Sequence, residues 1–116
     1  MKAFLLILPI LFLITSKVEW LTPMKQDMGT LKSGVPATAV FRFKNTSSEI
    51  LTIDNVRTTC SCTATDWSEE AVPPNGEGLI RIGYDAMKPG YFNKKITLYF
   101  NGQKKAEKLF ITGHVE

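Results

Sequence analysis

The sequence is poor in the residues that most chemistry needs. Its 116 residues include one histidine, His114, and two cysteines, Cys60 and Cys62. A single histidine cannot build a multi-histidine metal motif, and no nucleophile–base pair or glycine-rich phosphate loop is present. Two cysteines are too few for a disulfide-rich scaffold. Charge of one sign is also lacking. The formal net charge is +3, with Lys and Arg scattered among Asp and Glu, so the basic stripe of a nucleic-acid binder is missing. The one local basic cluster, Lys104, Lys105 and Lys108, reads as a solvated face. Asp66, Glu69 and Glu70 sit in one short stretch, but a paired-acid hydrolase needs a shaped cleft on a larger scale. No enzyme active site is expected. Helical periodicity, repeats, linkers and low-complexity segments are absent after Ser16.

Long apolar runs are missing except at the start. Residues 1–16 have the layout of a secretory signal: Lys2 as the positive region, Ala3 to Ile14 as an apolar run broken only by Pro9, then Thr15 and Ser16. A bilayer span needs about 20 apolar residues, whereas a signal core needs roughly 7–15. The expectation is export to the periplasm or beyond, a mature chain starting near Lys17, and no transmembrane helix in that mature form. Ile14-Thr15-Ser16 is a weak version of the small-x-small cleavage pattern, so an uncleaved N-terminal membrane anchor is the second reading. No cysteine follows the run, which argues against a lipid-anchored product. Lys2 is the only charge in residues 1–16, so the remaining chain carries +2.

What is present downstream is period-two alternation between turn signals. Val18 to Leu21 reads as a first strand, and Met28 to Gly34 as a turn-rich connection. Ala39, Phe41 and Phe43 alternate with Val40, Arg42 and Lys44, which puts the phenylalanines on the core side. Asn45 to Ser48 reads as a turn. Its Asn45-Thr46-Ser47 fits a glycosylation sequon, but the turn reading is preferred. Ile50 to Val56 follows, with Leu51 and Ile53 inward. Val72 to Gly78 is loop chemistry. Ile80, Ile82 and Tyr84 share a face, as do Ile96, Leu98 and Phe100, and then Leu109, Ile111 and Val115. Asn101-Gly102 is the strongest short hairpin signal. The spacing predicts an all-β fold, an immunoglobulin-like antiparallel β-sandwich of about seven strands forming a single domain over residues 17–116. Trp20 and Trp67 fit either its core or a binding surface. His114 falls on the outward face of the last strand.

Cys60-Ser61-Cys62 is the only constellation with chemical content. On an extended strand the two residues face the same way, with Cα atoms about 6.6–6.8 Å apart. That lies at the outer edge of disulfide geometry, so a bridge is strained, easily reduced and redox-active. Two thiolates on one edge also suit copper or zinc. Met24, Met28, Met87 and His114 are the soft ligands available to complete the shell. A thiol pair that faces a partner is the third option, and simple packing of two small side chains at a strand turn is the fourth.

Met28-Gly29-Thr30-Leu31 with Gly34, Phe41 to Thr46, Leu51-Thr52-Ile53 with Val56, Thr59 to Thr63 and Pro74 to Gly78 form an ordered set of motifs. Lys88-Pro89-Gly90, Ile96-Thr97-Leu98, Asn101 and Ile111-Thr112-Gly113 complete it. The set resembles the bacterial domain-of-unknown-function family numbered 1573, over roughly Gly29 to Val115. Ser61 stands where that family usually has glycine, and Met28 where an aromatic residue is common. The resemblance implies an immunoglobulin-like relative of PapD-like and ASH-type modules in exported envelope proteins, and no biochemical activity. The function expected is therefore a non-catalytic module of the cell envelope that contacts another envelope protein. A thiol-based metal or redox protein using Cys60 and Cys62 is the alternative.

Overall fold

The computed structural model describes residues 16–59 and 63–116. Of the expected signal, only Ser16 lies inside the described residues. Eight strands form two four-stranded sheets. They are β1 (Val18–Trp20), β2 (Lys25–Leu31), β3 (Ala37–Asn45), β4 (Ile53–Thr58), β5 (Thr63–Trp67), β6 (Glu77–Tyr84), β7 (Gly90–Phe100) and β8 (Glu107–Val115). One sheet has the order β1-β3-β6-β5 and the other β2-β8-β7-β4. This is the ABED and CFG arrangement of an immunoglobulin constant-type sandwich, with β2 added beyond the last strand.

Alternation places the core as expected. Phe41, Phe43, Leu51, Ile80, Ile82, Ile96, Leu98 and Ile111 are fully buried. The two sheets are joined by aromatic contacts at both ends. Phe43 meets Trp20 and Phe100 edge-on, with centroids 5.7 and 5.2 Å away. Tyr84 stacks on Phe92 at 4.1 Å. Each sheet also pairs a phenylalanine with a glycine across strands, Phe43 with Gly78 and Phe92 with Gly113. A Cβ on Gly78 would collide with the ring of Phe43, and one on Gly113 would stand 2.7 Å from Phe92. The glycines leave room for the rings to lie flat on the sheet.

Four local expectations are corrected. The connection read from Met28 to Gly34 contains most of β2, an additional strand that pairs parallel to β8. Its alternation is weak because an edge strand buries little, and it carries a register shift at Gly29, where φ is +76°. The sandwich is thus not wholly antiparallel. The strand read from Ile50 begins only at Ile53, which is half-buried. Leu51 is buried through an isolated bridge to Val72. Asn101-Gly102 does not close a two-residue hairpin. The β7–β8 ladder ends at Leu98 opposite Glu107, and Phe100 pairs with Ile53 instead. Asn101 Oδ1 accepts the Thr52 N–H at 2.7 Å, so this residue docks β4.

The turn after β3 is built around Asn45, which is fully buried. Its Nδ2 donates to the carbonyls of Glu49 (2.8 Å) and Val72 (2.9 Å). Its Oδ1 accepts from the Ser47 N–H (2.9 Å) and hydroxyl (2.7 Å). All four hydrogen-bonding positions of the amide are filled.

Two stability predictions follow from these contacts. Asn45→Ala removes four hydrogen bonds from a fully buried position and should cost about 3 kcal/mol in urea melts. Gly78→Ala should destabilise the wild-type chain clearly more than it destabilises Phe43→Leu, because the smaller side chain yields to the new Cβ; a double-mutant cycle measures the coupling.

Candidate functional site

Cys60 and Cys62 lie outside the described residues. The strands on either side belong to different sheets: β4 ends at Thr58 and β5 begins at Thr63. Of the soft ligands considered with them, Met24 and Met87 are exposed, Met28 packs against the core, and His114 is exposed on β8. Among the described residues no group of three His, Cys, Asp or Glu side chains could hold a metal ion. Lys104, Lys105 and Lys108 are exposed. Asp66 forms an exposed ion pair with Arg81 at 3.3 Å. Glu69 and Glu70 are exposed beyond the end of β5.

Trp20 and Trp67 take equivalent places, half-buried against the core on the two lateral walls of the sandwich. Met28, Leu31, Ile53 and Val56, on the outer strands of the other sheet, also pack against the core. Glu107, which sequence reasoning passed over, holds the first wall. Its carboxylate accepts the Trp20 indole N–H (3.0 Å), the Ser16 hydroxyl (2.8 Å) and the Gln103 amide (2.7 Å). Gln103 Oε1 in turn accepts the Lys17 N–H at 2.9 Å. The entering chain is fastened to the β7–β8 end of the molecule by this set.

The walls also expose the sheet edges, and three of them are blunted. The register shift in β2 interrupts its edge, which carries Lys25 and Asp27. β4 has a register shift after Ile53, and its Val56 N–H is taken by the Asn55 side chain at 2.9 Å. β1 is three residues long. Beyond it the outer edge of β3 is covered by the Leu21 N–H on the Arg42 carbonyl, by the Thr22 hydroxyl on the Arg42 N–H and by the Gln26 amide on the Val40 carbonyl.

β5 is different. It pairs with β6 without a register shift from Thr63 to Trp67. The Ser68 N–H continues that ladder to the Leu79 carbonyl. Antiparallel alternation then directs the backbone groups of Asp66 toward β6 and those of Thr65 and Trp67 outward. No described residue takes the outward N–H and C=O groups of Thr65 and Trp67. A regular edge of this kind is a template for another strand.

Comparison with known proteins places this architecture. The family described as Protein of unknown function (DUF1573) matches residues 20–115, from within β1 to the end of β8. The chain belongs to the DUF1573 family. No curated protein matches it. Among solved structures, the ASH / PapD-like domain 7 of human CEP192 superposes with a TM-score of 0.75 at 10% identity, over 96% of this chain and 93% of that one. A protein of unknown function from Porphyromonas gingivalis W83 gives 0.72 at 20% identity, over 84% of this chain and 46% of that one. The DUF1573 chain thus spans about half the length of that neighbour. The Caenorhabditis elegans MSP family member WR4 gives 0.59 at 10% identity, over 88% and 100%. At these identities the likeness is one of fold.

Tyr84, cross-strand from Thr63 at the start of β5, titrates abnormally. Burial, and then the neighbouring Asp85 carboxylate, push its phenol above the ordinary value. The folded state therefore holds this proton more tightly than the unfolded state. The resulting stability is full below pH about 10 and is lost as pH rises through the raised value. Urea melts across that range should show a smaller alkaline loss for Tyr84→Phe than for the wild type.

Proposed function

We propose that this DUF1573 chain is an exported, non-catalytic immunoglobulin-like module of the bacterial cell envelope, and that it binds another envelope protein by adding a strand of the partner to β5. The open edge of β5 carries this reading. Main-chain hydrogen bonds to a sheet edge provide affinity with little demand on side-chain chemistry. That suits a chain with one histidine and no catalytic constellation. Export is supported by the layout of residues 1–16. The thiol reading of Cys60 and Cys62 stands on their spacing alone, and anaerobic metal analysis with thiol counting on the purified protein decides it. One stoichiometric copper or zinc ion would raise it above the interaction reading.

The binding role is tested by placing a photo-crosslinking amino acid in the envelope-expressed protein, at Asp66 on β5 and at Tyr91 on the outer face of the other sheet. Both positions are exposed. A discrete adduct from position 66 and none from position 91 is the expected result. Equal adducts from both, or none from position 66, would remove β5 as the binding edge. N-terminal sequencing of the same envelope fraction should begin near Lys17, and an intact Met1 would show an anchor in place of a cleaved signal.

A further inference from the structure

The surroundings of β5 specify what kind of strand it takes. From Thr63 to Glu77 the sequence carries four carboxylates, Asp66, Glu69, Glu70 and Glu77, and no Lys or Arg, in a chain whose net charge is +3. All four are exposed. Arg81 meets Asp66 from the β6 side at 3.3 Å, whereas no described residue forms an ion pair with Glu69, Glu70 or Glu77. Asp66 is thus paired and Glu77 lies cross-strand from Lys44, which leaves Glu69 and Glu70, just beyond the end of β5, as the uncompensated negative charge beside the open edge. The other face of β5 carries Thr63, Thr65 and Trp67, all half-buried, with Trp67 as the apolar anchor. Trp67 packs half-buried against the core, and Asp66, the next residue along, points to the outside. A strand laid beside β5 continues both rows, because side chains alternate between the faces.

We infer that the partner segment is an extended strand in which Lys or Arg alternates with apolar residues. The cations lie on the outer face with Asp66 and near Glu69 and Glu70, and the apolar side chains continue the row of Trp67. This inference rests on the β5 reading above and adds the chemistry of the partner. Opposite charges across neighbouring strands favour the pair, and like charges oppose it. The same rule disfavours an acidic strand at this edge, so charge selects the partner as well as attracting it.

Two short synthetic peptides, one alternating Lys with Val and one alternating Glu with Val, separate the possibilities when titrated into the purified full chain and followed by amide chemical shifts. The Lys peptide should shift the amides of Thr65 and Trp67 and bind at least about tenfold more tightly than the Glu peptide at low salt. High salt should narrow that difference. The double variant Glu69→Lys/Glu70→Lys, which leaves the strand backbone untouched, should invert the preference. Thr65→Pro removes the outward N–H and should abolish binding of both peptides; proline is tolerated on sheet edges, and the β3 and β6 amide shifts report whether the fold is kept. Equal binding of the two peptides at β5 would overturn the basic partner while leaving the edge intact. Binding that Thr65→Pro does not reduce, or no binding by either peptide, would overturn the edge as well. Concentration-dependent dimerisation that Thr65→Pro abolishes would assign the edge to a second copy and overturn the inference.

Discussion

The buried carboxamide of Asn45 is the interaction on which this end of the sandwich depends. Its amide group holds the turn from Ser47 to Glu49 and the loop at Val72 in one place. Its main chain takes the Gly76 carbonyl and the Asn75 N–H, both at 2.8 Å. Those bonds set the start of β6 against the end of β3, and so place Gly78 beneath Phe43. With that register fixed, Phe43 can reach both Trp20 and Phe100, and β6 can present its far edge to β5. A polar group at zero exposure would be costly if any of its bonds were missing. Here every one is made, so burial converts the amide into a device that admits only one arrangement of three segments.

The four outer strands share a problem and solve it unequally. A sandwich that is not closed into a barrel leaves edges, and an unmodified edge invites pairing. A register shift, side-chain caps and short length protect β1, β2, β4 and the exposed part of β3. Among the described residues none of these protects Thr65 and Trp67 of β5, and the strand follows the segment that holds the two cysteines. The protection is local and specific, so its absence at one strand is informative in a way that a uniformly open molecule would not be.

Much of this was legible from residue order. Phe41, Phe43, Ile80, Ile82, Ile96, Leu98 and Ile111 sit in the core because a period of two leaves them no other face. β2 was not legible, since a parallel edge strand with a glycine at its irregularity has the composition of a turn. Asn101-Gly102 carried a genuine turn signal, with φ of +68° at Gly102. What could not be seen was that Asn101 would be drawn to Thr52, a residue far away in the sequence. Glu107 was passed over for the same reason: a lone carboxylate in a lysine-rich stretch gives no sign of the Trp20 indole that it meets.

The amino-acid sequence by itself determined the class of fold, the inward set of each long strand and the poverty of catalytic groups, because these depend on composition and on side-chain alternation within single strands. It also determined that acidic residues crowd the stretch from Thr63 to Glu77. Tertiary structure alone decided which edge those residues border. Whether a strand's outer N–H and C=O groups are open depends on the neighbours it acquires, on where a distant side chain caps it and on where a register shift falls. Those are long-range facts of chain packing, and no local pattern around Thr65 encodes them.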